Sequence, residues 1–77
     1  MNTQLEFLSN ILIEVESNPG DFSAQALDDL SNSAHEIYLE IDVPTGGDLS
    51  TLEALDSAKA HAKNLSRDFS RYASYQA

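Results

Sequence analysis

The chain has 77 residues, no cysteine, and thirteen acidic against four basic side chains, for a formal net charge of −9. That length supports one domain, residues 1–77, burying only about 60% of the surface its unfolded form exposes, with no disulfide or thiolate metal site to reinforce a thin core. The charge argues against direct nucleic-acid binding, in which lysine and arginine replace condensed counterions, and sets the chain against anionic lipid headgroups.

The first predicted helix covers about residues 4–16. Thr3, Gln4, Leu5 and Glu6 have the T-x-x-E form of a capping box, and Leu5, Leu8, Leu12 and Val15 follow at three- and four-residue intervals. Phe7 and Ile11 widen that stripe, which predicts packing against more than one neighbour. The segment is interrupted by Glu6, Ser9, Asn10 and Glu14 and lacks a positive start, so it does not read as a signal peptide. Ser17-Asn18-Pro19-Gly20 ends it, because proline forces its predecessor out of the helical region.

A second helix is predicted over about 23–41, with Asp21 or Ser23 as its N-cap. Its apolar heptad is Leu27, Leu30, Ala34, Ile37 and Ile41, reinforced by Tyr38, and its acids Asp28, Asp29, Glu36 and Asp42 fall on the far side. The β-branched and aromatic content of residues 37–43 would also suit a strand, but the adjacent apolar pairs Ile37-Tyr38 and Tyr38-Leu39 break the alternation a strand needs. Pro44-Thr45-Gly46-Gly47 then breaks the chain. Ser50, Thr51, Leu52 and Glu53 form a second capping box, which predicts a helix over about 51–73 with Leu49 stapled onto Ala54. Leu52, Leu55, Ala58, Ala62, Leu65, Phe69 and Tyr72 keep helical spacing through it, and its alanines let a neighbour come close. Short loops between three helices predict an all-α, antiparallel three-helix bundle. No apolar run approaches the roughly 20 residues of a membrane span, and the expected setting is cytoplasmic.

Charge is segregated along the chain. Lys59, Lys63, Arg67 and Arg71 recur every four residues near the C-terminus, whereas twelve of the thirteen acids precede them. The row drifts about 40° per step around a helix, so it fans out instead of forming one patch. Two roles are open to it: offsetting acids on adjacent helices and at its own helix end, with Asp56 placed to pair with Lys59, or docking on the acidic face of a second copy.

Catalytic chemistry has little support. Neither His35 nor His61 has a carboxylate three or four residues away, so no helical metal pair is encoded, and phosphate-binding glycine loops, nucleophile elbows and calcium loops are absent from the sequence. Carboxylate pairs such as Asp28-Asp29 or Glu14 with Glu16 arise readily among thirteen acids. A three-helix domain this small is expected to offer little room for a substrate pocket of about 300 Å³ or more. The reading is therefore not an enzyme, with no cofactor and no metal.

Asp48-Leu49-Ser50 at the opening of a helix resembles the Asp-Ser-Leu motif of acyl and peptidyl carrier proteins, whose serine holds a phosphopantetheine arm. The resemblance covers three residues in a changed order, and the helix that follows is basic where a carrier's recognition helix is acidic. In size, acidity and lack of catalytic motifs the chain is similar in type to small inhibitors of phages and mobile elements, including some anti-CRISPR, anti-restriction and other DNA-mimic proteins. That similarity implies a binding module whose partner is a protein with a basic surface, such as the nucleic-acid channel of a DNA- or RNA-binding protein, engaged through Asp28, Asp29, Glu36, Glu40 and Asp42. The alternative is a homodimeric structural or adaptor protein acting through apolar surface, with Phe69, Tyr72 and Tyr75 as candidates for exposure.

Overall fold

The computed structural model describes residues 3–76, which form three helices and no strand. They are α1, Thr3–Ser17, α2, Ala24–Glu40, and α3, Leu49–Gln76, with a single 3-10 turn at Pro19–Asp21 between the first two. At about 1.5 Å per residue the 28 residues of α3 span about 42 Å, which accounts for the 44 Å long axis of the molecule. The other two helices lie along this one.

Small side chains decide which pair packs closest. Ala34 and Ala62 are fully buried, and Ser31 and Ser66 meet across α2 and α3, the Ser31 hydroxyl donating to the Ser66 carbonyl at 2.8 Å. Seven residues further along α2, Tyr38 lies against Lys59, seven residues before Ser66 on α3. Equal steps in opposite directions define an antiparallel pair in heptad register. Leu27, Ile37, Leu65, Phe69 and Ala73 complete the seam, and α1 closes the core with Leu5, Leu8, Leu12 and Val15. Phe69 is fully buried, Tyr72 half-buried and Tyr75 exposed. Of the three aromatics considered for exposure, only Tyr75 is on the surface.

The helix ends refine the sequence reading. Ser23 is the N-cap of α2, its hydroxyl accepting from the Ala26 N–H at 3.1 Å, while Asp21 belongs to the preceding turn. In α1, Thr3 is already helical, and the position before it lies outside the described residues. The capping box expected at Ser50 is displaced: Asp48 Oδ2 accepts from the Thr51 N–H and hydroxyl, both at 3.3 Å, and the helix begins at Leu49. A carboxylate is a better partner for free N–H groups at the positive end of a helix than a neutral hydroxyl. Leu49 is then the first helical residue and is exposed, so no staple onto Ala54 forms. Gly47, at φ 120°, makes the turn into this cap in a conformation that side-chain-bearing residues avoid.

The breadth of the α1 stripe predicted packing against more than one neighbour, and α1 contacts both of the other helices, though unequally. α1 leans on α3 but touches α2 sparingly, so Phe7 remains 65% exposed and Ile11 half-buried. The tight small-residue seam draws α2 toward α3, and the bulkier Leu30 side of α2 is left facing α1 across a gap.

Candidate interaction site

That gap is a groove with two adjoining hollows. One, of about 330 Å³, is lined by Gln4, Phe7, Leu8, Leu30, Ser33, Glu36, Ile37 and Glu40. The other, of about 480 Å³, adds Ile11, Glu14, Phe22, Ala26 and Asp29, and shares Leu30 and Ser33 with the first. The expectation of little room for a space of this size is corrected, because α1 and α2 are splayed. Phe22, at the α1–α2 turn, is half-buried against the core and bounds one end.

Phe7, Leu8, Ile11, Phe22, Ala26, Leu30 and Ile37 give the groove its apolar lining, Gln4 and Ser33 add polar groups to it, and exposed carboxylates stand along the rim. Asp29, Glu36 and Glu40 on α2 and Glu14 on α1 all line the groove and are all exposed. Of the five acids singled out in the sequence, these three from α2 are therefore brought together. Asp28 is exposed on α2 outside the groove, and Asp42 lies beyond the end of that helix. The apolar half of the site was missed by pattern reading, although the breadth of the α1 stripe, Phe7 and Ile11 beside the main row, was its signal.

The basic row does not neutralise this face. Lys59 is half-buried and donates to the carbonyls of Tyr38 and Ile41, each at 2.9 Å, with its ammonium 4.3 Å from the centre of the Tyr38 ring. The expected pair with Asp56 is replaced by this contact, because the end of α2 offers carbonyls with no intrahelical partner. Arg67 and Arg71 both turn to Asp68 on their own helix, at 3.4 and 3.7 Å. Lys63 is exposed and makes no ion pair among the described residues. The role of offsetting acids on neighbouring helices is thus not taken up by direct pairing. Among the described residues no cation lies within salt-bridge distance of Glu14, Asp28, Asp29, Glu36, Glu40 or Asp42; Asp29 accepts a hydrogen bond from Gln25 at 3.0 Å.

His35 and His61 are both exposed, His35 stacking on Tyr38 with ring centroids 6.0 Å apart. No group of three metal-ligating side chains converges among the described residues, and no helix there is long and apolar enough to cross a membrane. Ser50, the residue of the carrier-like motif, is an exposed side chain in the first turn of α3. No family model matches the chain, and no curated protein or solved structure resembles it at a significant level.

Proposed function

We propose that the chain is a small acidic protein-binding module, an inhibitor or regulator that occupies a basic surface of a partner protein. Nucleic-acid-binding surfaces are the main candidates, as for phage-type anti-CRISPR and other DNA-mimic proteins. The observation that carries this reading is the unneutralised acidic face: six exposed carboxylates on and around α2 and α1 have no cationic partner among the described residues, while three of the four lysines and arginines are engaged elsewhere. A field of one sign left unpaired on rigid helices speeds encounter with an oppositely charged surface and fixes its orientation. The module acts by occupancy and needs no cofactor. An affinity pulldown eluted with a salt gradient tests it. The captured partner should release as screening shortens from about 10 Å at 0.1 M to about 3 Å at 1 M salt, and should not be captured by a chain with Asp28, Asp29, Glu36 and Glu40 all changed to lysine. Capture indifferent to both salt and charge reversal would overturn the reading.

A second reading, a homodimeric or adaptor protein acting through apolar surface, draws support from Phe7, Ile13 and Leu39, which are 65%, 59% and 64% exposed. Sedimentation across concentration separates the two, since self-association through apolar surface strengthens or persists when salt is added.

A further inference from the structure

The groove has a shape and a charge that together define its occupant. Its lining on α2 runs from Ala26 to Glu40, about 21 Å at 1.5 Å per residue, which is about four helical turns. Two helices side by side with an apolar trough between them present ridges and grooves that a further helix fills, as in a four-helix bundle. Phe7, Leu8, Ile11, Leu30 and Ile37 would meet the apolar stripe of such a helix. The carboxylates of Glu14, Asp29, Glu36 and Glu40 stand where residues flanking that stripe would lie, and no cation among the described residues pairs with them.

We propose that the groove between α1 and α2 seats one basic amphipathic helix of a partner protein, its apolar ridge in the trough and its lysines or arginines on the four rim carboxylates. This rests on the reading of the chain as an acidic binding module and specifies the chemistry of the partner at that site. A second copy of this chain does not fit the description. The one helix with basic residues, α3, spends its apolar side on Ala62, Leu65, Phe69 and Ala73 in its own core. Its exposed side, with Lys63, Asn64, Arg67 and Ser70, offers charge without an apolar ridge.

The test uses the full chain and a fluorescent peptide of about 18 residues, five turns, with leucines on one helical face and lysines elsewhere, against a scrambled peptide of the same composition. The amphipathic peptide should bind at least about tenfold more tightly than the scrambled one, a difference of about 1.4 kcal/mol. Ser33 is exposed and lines both hollows, so Ser33→Trp fills the trough without changing charge and should weaken binding at least about tenfold. Asp28→Lys, outside the groove, should have a smaller effect than Ser33→Trp. Circular dichroism checks that the tryptophan variant folds. If it does not, amide shifts of the unmodified chain decide, and they should concentrate in residues 4–14 and 26–40. Equal binding of both peptides, no loss with a folded Ser33→Trp, or shifts centred on α3 would overturn the groove proposal while leaving the acidic module standing. A peptide-excluding homodimer would also overturn it, and failure of both peptides to bind at low salt would remove the module reading as well.

Discussion

Lys59 caps a helix to which it does not belong. The last carbonyls of any α-helix lack intrahelical partners and carry the negative end of the dipole, and α2 has no basic residue in its own last turn. Lys59 supplies the missing cation from α3, donating to the Tyr38 carbonyl in the last turn and to that of the C-cap residue Ile41, and resting on the face of Tyr38. Replacing it with methionine keeps the aliphatic stem and removes the donors, and should cost about 1–2 kcal/mol of stability, read from urea unfolding. Lys63→Met, the same change on an exposed side chain one turn later, should stay within about 0.5 kcal/mol. Equal effects at the two positions would refute the capping role. Lys59 was legible as the first member of the basic row and as a residue placed to make a pair. Its partner was not, since the local sequence offers Asp56 and the carbonyls at the end of α2 come within reach only when the two helices pack.

Where α3 begins turns on one carboxylate. Asp48 and Ser50 are both good N-cap residue types, and the S-x-x-E spacing favoured Ser50 by pattern. The Pro44–Gly47 loop delivers the chain with Asp48 already aimed at the first free N–H groups, so the helix gains half a turn at its start. Asp48→Ala should therefore cost about 1 kcal/mol, whereas Ser50→Ala should be near neutral because alanine is the better helix former once the residue is inside the helix. The reverse order in thermal melts would restore the cap to Ser50. At the C-terminal end α3 runs to Gln76, whose side-chain amide donates to the Pro19 carbonyl in the turn between α1 and α2. Periodicity placed this end at about residue 73, because the tie is made to a residue 57 positions earlier.

For the molecule as a whole, net charge and geometry act in opposition. Folding gathers the acids of α1, α2 and the following loop onto a body only 18 by 14 Å across its short axes, with no cation paired to those of α2 among the described residues. Self-repulsion of this kind destabilises the compact state and is relieved by screening. The melting temperature should therefore rise by several degrees between about 10 mM and about 300 mM sodium chloride, corresponding to roughly 1 kcal/mol for a domain of this size. A fall with salt would mean that attractive pairs between helices dominate. The same screening that stabilises the free chain weakens its capture of a basic partner, so the two salt dependences should run in opposite directions.

The all-α class, the number of helices, their antiparallel order and nearly all core positions follow from the sequence alone, because helical periodicity, proline and glycine breaks and cap residues are local properties of the chain. Leu5, Leu8, Leu12, Val15, Leu27, Ala34, Ile37, Ala62, Leu65 and Phe69 announce themselves by spacing. How close each pair of helices comes is a different matter, set by whether small side chains happen to face each other across an interface. Ser31 and Ser66 are unremarkable in one dimension; in three they bring α2 onto α3, leave α1 splayed, and open the acid-rimmed groove that only the tertiary structure could place.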